Sequence, residues 1–386
     1  MNSKVRACQV CGSNESSMVH RNNMASLDGL DMSYVLVRCN VCGFHFAREL
    51  PEEAQYFRYY EELSKYDSQP IVSTVDRLRI NAAVDFCVSL GIPKDAQILD
   101  LGCGFGALLA SLRNAGWERL QGLDPAPKSA LRAREQFDLE CIHQGTLFQA
   151  SEVIDLGRAD LVCLMAVLEH LPELRRDVSR LLSHLHEGCR LLIEVPALDL
   201  FIGSAGEPFG ELSLEHIQFF SSQSLRNFFA SLGCRVLGEE LVPLPALHSG
   251  ALFVLVEYIG AGPMVLTNEL PVTMDDYLNG SHQRWVQVLR KIPGVPYVLY
   301  GAGSHSARLL PQLNSRQKKN LVAVLDGNKN LHGKRFDQWV VHAPEELAEF
   351  PGLPVLISSY RSEKLIAQTL KKYFPDHELH LMYGDV

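Results

Sequence analysis

The chain has 386 residues, 47% of them hydrophobic and 21% charged, with a formal net charge of -9. At roughly 150 residues per domain, that length predicts two or three domains, each able to bury its own core. The acidic balance argues against a nucleic-acid partner, because it offers no global basic field. The lack of an apolar leader core, or of an apolar run near ~20 residues, predicts a soluble cytoplasmic protein with no membrane partner.

In chain order, the first feature is two cysteine pairs, Cys8-x-x-Cys11 and Cys39-x-x-Cys42. Two intervening residues let both thiolates of a pair reach one ion, and two such knuckles complete a tetrahedral, closed, all-thiolate zinc site of structural type. The stretch from Gly12 to Arg38 is longer than a compact zinc ribbon needs, so an inserted loop or strand pair is expected to fill it. The remaining cysteines (Cys87, Cys103, Cys141, Cys163, Cys189 and Cys234) lie scattered in apolar segments, which suits reduced thiols. An aromatic stretch from Tyr56 to Tyr66 closes this first unit, taken as residues 1–70.

From about 71 to 260, short β-like runs alternate with helical patterns. They begin at Gln97, Leu120, Ala159 and Arg190, and the alternation predicts a mostly parallel, doubly wound α/β sheet. Asp100-Leu-Gly102-Cys-Gly104-Phe-Gly106 ends the first run and opens a helix. Glycines there permit a tight turn and a close approach of backbone to a ligand at the strand's carboxyl end. Asp124, at the end of the next run, is placed to accept both hydroxyls of a ribose, and Asp100 to orient a charged amino-acid moiety. A dinucleotide loop spaces its third glycine one residue later, so the spacing here is the tighter form. The glycine-rich stretch Phe201–Pro208 is read either as a lid over an acceptor or as an ordinary connection.

Residues 261–386 form the third unit, with a connector over about 261–295 that includes a polar helical segment from Asp275 to Leu289. The alternation then restarts with Tyr297-Val-Leu-Tyr-Gly301-Ala-Gly303-Ser304-His305, followed by Asp326 at the next strand end. This second glycine loop is either a ligand loop or a plain strand-to-helix turn. Ser306 stands where a dinucleotide loop has its third glycine, which argues against NAD.

The acidic residue followed by GxGxG resembles motif I of the class I S-adenosylmethionine-dependent methyltransferases. Asp124, the segment His143 to Thr146, Leu164-Met165-Ala166-Val-Leu-Glu169-His170 and Glu194-Val-Pro196 match that family's later motifs in order. The resemblance implies S-adenosylmethionine held by Asp100, Gly102, Gly104, Gly106, Asp124, Gly145, Met165, Ala166 and Glu169. With its zinc module and its smaller C-terminal Rossmann-like α/β domain, the whole layout resembles the three-domain nucleotide-sugar C-methyltransferases. That likeness implies a small-molecule partner, a nucleotide-linked sugar, with Gly301, Gly303, Ser304 and His305 helping to hold it, and a monomer or homodimer. The family's Tyr-x-Glu-His segment corresponds to Ser213-Leu-Glu215-His216, which implies His216 as general base and Glu215 as its orienter. Ser213 replaces the tyrosine; Tyr60 or Tyr66 is the expected source of the missing hydroxyl. Methylation of oxygen or nitrogen stays open beside C-methylation of a keto-deoxysugar, as does a non-catalytic scaffold that only holds cofactor or nucleotide. His170 is expected in the wall of the cofactor pocket or at a helix cap.

Overall fold

The computed structural model describes residues 4–31, 33–50, 72–213, 215–260 and 272–384; Tyr60 and Tyr66 lie outside them. The central sheet has seven strands. In spatial order they are Cys234–Leu244, Ser249–Tyr258, Arg190–Pro196, Leu161–Met165, Ile98–Leu101, Leu120–Asp124 and Ile142–Gln144. The last five are mutually parallel. Strand Ile98–Leu101 is buried along its whole length, as a strand covered on both faces must be. Leu99, Leu101, Val162, Leu164, Leu191 and Ile193 pack on one face, and Ile98, Leu161, Cys163 and Leu192 on the other. Period-2 alternation along each strand produces this division.

The expectation of a mostly parallel sheet needs one amendment. Cys234–Leu244 and Ser249–Tyr258 form an antiparallel hairpin, and Ser249–Tyr258 also runs antiparallel to Arg190–Pro196, so the sheet is mixed. The connection is the short turn Pro245–Leu247 followed by His248 at φ +53°, and so short a link joins only antiparallel neighbours.

Helix Thr74–Ser89 leads into this sheet. Ser73 accepts a hydrogen bond from the Asp76 amide (3.1 Å) while the Asp76 carboxylate accepts from the Ser73 amide (3.3 Å), a reciprocal cap that fixes where the helix starts. Arg79 therefore emerges one turn in, facing the central sheet.

The long gap between the cysteine pairs is filled as expected, by strands Ser16–Asn22 and Tyr34–Cys39. These continue through His45–Ala47 to Gln218–Phe219, a strand contributed by the central region. Both knuckles turn alike: Gly12 donates to the Cys8 carbonyl (2.8 Å) and Gly43 to the Cys39 carbonyl (3.0 Å), each with positive φ. Arg175 fastens the first knuckle to helix Leu174–Leu182, donating from Nε to the Gln9 carbonyl at 3.0 Å.

The C-terminal region builds a six-stranded sheet ordered Arg335–Phe336, Trp339–His342, Leu321–Leu325, Tyr297–Tyr300, Val355–Ile357 and Leu379–Leu381, parallel except for the first pair. Helix Asp275–Leu289 lies where a polar helical segment was expected. A single apolar cluster joins Leu30 and Leu36, Leu198 and Phe209, and Trp285, Leu309 and Phe336, so the three sequence regions share one core. No helix among the described residues is long and apolar enough to cross a membrane.

Candidate active site

At the end of strand Ile98–Leu101 the chain turns through Gly102, Gly104 and Gly106, at φ +85°, +52° and +83°. A Cβ on Gly102 would stand 2.7 Å from Val167 Cγ2, and one on Gly106 would stand 2.7 Å from Ile142 Cδ1. Above Gly104 there is nothing within 4 Å. Two glycines thus let the loop pack down while the middle one faces open space, ahead of helix Ala107–Asn114. Asp124 is held beside the loop by the amides of Gly104 (2.8 Å) and Ala126 (2.9 Å) and by Ser129 Oγ (2.7 Å). The Gly145 amide reaches the Asp124 carbonyl at 3.0 Å. Asp100 is buried, and its Oδ1 has no hydrogen-bond partner among the described residues; burial, aided by the nearby Asp124 charge, pushes its carboxyl up to about 7. An open glycine cradle between an orphaned carboxylate oxygen and a second carboxylate fits the amino-acid and ribose ends of S-adenosylmethionine. Met165 ends its strand next to this loop, and Ala166 adopts φ +53°, a left-handed turn costly for alanine and fixed by its amide bond to the Glu194 carbonyl (2.9 Å).

The proposed base lies near the same strand ends. The Ile217 amide donates to the Glu169 carbonyl at 3.0 Å, which seats residues 215–217 against residues 168–170. His216 and His170 rings lie 5.1 Å apart, and donor atoms of Glu169, His170 and His216 all fall within 4.8 Å of one another. Burial is the main force lowering the His216 pKa well below its ordinary value, with His170, Arg361 and Arg79 adding repulsion, so the ring is neutral at physiological pH. A hydrogen bond to the Glu211 backbone opposes that shift and orients the ring. Glu215, expected to orient His216, meets this cluster through its main chain: its carbonyl accepts from His170 Nδ1 at 3.1 Å. Ser213 Oγ accepts from the amides of Glu215 (3.3 Å) and His216 (3.1 Å), so this hydroxyl caps the turn.

Sequence reasoning did not single out the ion pair beneath this cluster. Arg79 grips Glu194 with both arms, Nε to Oε1 at 2.9 Å and Nη2 to Oε2, and Asp76 stands 3.6 Å from the same guanidinium. The acidic residue at the end of the fifth strand, Glu194, was visible; its partner, over a hundred residues earlier, carried no sequence signal.

The stretch Phe201–Pro208 is fastened down by the C-terminal region. Gly203 and Gly280 are in backbone contact, Arg284 Nε donates to the Gly206 carbonyl at 2.5 Å, and Arg308 pairs with Glu207. The Glu211 amide donates to Tyr277 Oη at 2.9 Å. Glu207, Glu211, Tyr277, His248 and Arg361 line a small pocket beside His216. In the second glycine loop, the Ala302 amide donates to Asp326 (2.7 Å) and Gly301 turns at φ +115°, close under the Ser358 carbonyl. Gly303 is exposed and Ser304 half-buried. His305 is directed inward, its Nδ1 2.7 Å from Ser358 Oγ and its ring near Trp285.

The four knuckle thiols converge: Cys8 Sγ lies 3.5 Å from Cys42 Sγ, Cys11 Sγ 3.5 Å from Cys39 Sγ, and all four fall within 4.8 Å of one another. A tetrahedron with zinc–sulfur bonds of about 2.3 Å has edges of about 3.8 Å, so the set fits that ion.

Residues 50–239 match the family model of a methyltransferase domain. A probable chloroplastic tocopherol O-methyltransferase from Oryza sativa subsp. japonica is 27% identical over 139 residues, covering 33% of this chain and 38% of that protein. The match thus spans well under half of that relative's length. Two solved structures are also similar. The 1,6-didemethyltoxoflavin-N1-methyltransferase of Burkholderia thailandensis is 18% identical, with 56% of this chain and 96% of that chain covered and a TM-score of 0.43. The magnesium protoporphyrin IX methyltransferase of Synechocystis PCC 6803 is 17% identical, with 54% and 97% covered and a TM-score of 0.39.

Proposed function

We propose an acceptor for what is, over residues 50–239, an S-adenosylmethionine-dependent methyltransferase domain of α/β class I fold: a nucleotide-linked keto-sugar, methylated on carbon. The observation that carries this reading is a meeting of parts. Arg361 of the C-terminal region lines a small pocket with Glu211, whose backbone hydrogen-bonds His216, and the Ile217 amide ties His216's turn to Glu169, two residues from the Val167 side chain that packs on the glycine cradle. Asp100, Gly102, Gly104, Gly106, Asp124, Gly145, Met165 and Ala166 would hold the cofactor, which supplies an activated methyl group on a sulfonium. His216, neutral and oriented by the Glu211 backbone, holds a lone pair to take a proton from the acceptor carbon. Arg361 would face the acceptor's diphosphate, because a guanidinium beside an open pocket matches that group's charge and geometry. The exposed Gly303 and half-buried Ser304 of the second glycine loop are further candidate contacts. The Cys8, Cys11, Cys39 and Cys42 thiolates would hold a structural zinc that fixes the N-terminal module on helix Leu174–Leu182.

A second reading is methylation of oxygen or nitrogen on a similar acceptor. It is favoured by one observation, that Ser213 spends its hydroxyl on the turn and so does not replace the family's tyrosine.

The reading is tested by titrating nucleoside diphosphates into protein saturated with S-adenosylhomocysteine, followed by Arg361→Ala. Binding with a clear base preference, weakened at least tenfold by the substitution, is the expected result. Absence of binding by every nucleoside diphosphate would overturn the nucleotide-linked acceptor.

A further inference from the structure

Glu169 has no structural reason to be charged. It is 1% exposed, and neither carboxylate oxygen has a hydrogen-bond partner among the described residues. Its backbone carbonyl makes the contact that seats residues 215–217. An unsatisfied buried carboxyl is costly, and it survives where its proton has work to do.

What surrounds Glu169 defines that work. His170 donates from Nδ1 to the Glu215 carbonyl, which leaves Nε2 with the lone pair in the neutral ring; Nε2 stands 3.7 Å from Glu169 Oε1. The pair can hold one proton in two ways, as carboxylic acid and imidazole or as carboxylate and imidazolium. His216 completes the group. The other charges near Glu169 are Glu194, on strand Arg190–Pro196, and Arg79, on helix Thr74–Ser89; these are paired with each other. His216 also faces Arg361 and the Glu211 backbone. Of these carboxylates, Glu169 is the one without a hydrogen-bonded counter-ion. Burial is the first cause of its carboxyl rising to about 7, opposed by His170 and Arg79 and assisted by Glu194.

We propose that Glu169 is a positioning residue that stores the proton taken up by His216, acting with His170 and without touching the acceptor. This rests on the reading of His216 as base. The acceptor's C–H bond would break and its electron pair go to the new carbon–methyl bond, while the methyl's bond to the sulfonium sulfur would break with its pair left on sulfur, and the proton would form an N–H bond on His216. That imidazolium then gives its proton, directly or through His170, to the Glu169 carboxylate. An O–H bond forms and the rings return to neutral. Methyl donation removes one positive charge from the cleft and protonation of Glu169 removes one negative charge, so turnover leaves no uncompensated buried charge. The proton is lost to solvent when product leaves.

The test combines Glu169→Gln and the carboxyl-retaining Glu169→Asp. In the free protein, NMR pH titration of selectively carboxyl-labelled glutamates should show one midpoint near 7 that is missing in Glu169→Gln. Calorimetry should give S-adenosylhomocysteine affinity within threefold of the unaltered protein. The rise of kcat with pH near 7 should vanish in Glu169→Gln, with kcat down at least tenfold, and return in Glu169→Asp. No glutamate midpoint near 7, or one that persists in Glu169→Gln, would overturn the proposal. So would a tenfold loss of S-adenosylhomocysteine affinity, which would make Glu169 a cofactor contact. A divalent ion bound in addition to any held by the cysteines, and lost in Glu169→Gln, would instead make the cluster a metal site. Full activity in His216→Ala would sink the base assignment separately, while the glutamate titration would still report on Glu169.

Discussion

Gly102 and Gly104 lie two residues apart with left-handed backbones, yet an alanine should act differently at each. At Gly102 the new Cβ meets Val167 Cγ2 at 2.7 Å, below any real Cβ contact. The left-handed conformation costs about 1–2 kcal/mol for a residue with a Cβ, and overpacking adds about 1–3 kcal/mol, so Gly102→Ala should lose about 2–5 kcal/mol of stability. At Gly104 the Cβ enters open space and only the backbone cost of about 1–2 kcal/mol applies, but that space is where the cofactor is expected. Urea unfolding and S-adenosylhomocysteine calorimetry separate the two effects. Gly102→Ala should unfold at markedly lower urea. Gly104→Ala should lose only about 1–2 kcal/mol in urea unfolding, less than Gly102→Ala, and lose at least tenfold in S-adenosylhomocysteine affinity. A Gly104→Ala protein that binds the ligand normally would refute the placement of the cofactor over this loop.

Three further outcomes follow from the same geometry. Arg79→Met leaves Glu194 buried and unpaired, and should cost about 3 kcal/mol in urea unfolding, against well under 1 kcal/mol if the pair is dispensable. Asp100 has a folded pKa near 7, raised above its ordinary 3.8, so the folded state binds the extra proton and the stability this gives is lost as pH rises from about 4 through 7. Asp100→Asn should therefore be more stable than the parent at pH 8, by about 4 kcal/mol or somewhat less, with the gap closing toward pH 4; a pH-independent difference would contradict the assigned cause. Metal analysis should find one zinc per chain, lost in a Cys8→Ser, Cys42→Ser double variant together with much of the thermal stability; unchanged metal content in that variant would refute the four-thiolate site.

The features legible in the sequence were those encoded locally. The glycine turn after Ile98–Leu101, the knuckles with glycine after each second cysteine, and the strands filling the gap between them all depend on neighbours a few residues apart. The hairpin Cys234–Leu244 and Ser249–Tyr258 was not separable from parallel strands, because Ser249–Tyr258 is buried on both faces and reads as a continuous apolar run. The chemistry around His216 was partly hidden for another reason. Its neighbours Glu169, His170 and Arg79 arrive from other strand ends and from the entering helix, and its orienting contact is a backbone group at Glu211, which no side-chain pattern reports. The Phe201–Pro208 stretch carried lid-like glycines, but Gly203 serves a close approach to the Tyr277 backbone on helix Asp275–Leu289, where a Cβ would stand 1.9 Å from the Tyr277 carbonyl oxygen, a demand visible only once the two segments are together.

The most direct test of the central claim is calorimetric titration of S-adenosylhomocysteine into the folded, zinc-loaded protein. One binding site per chain, lost in Gly104→Ala, is the result this account predicts; no detectable binding by protein that unfolds cooperatively would contradict it.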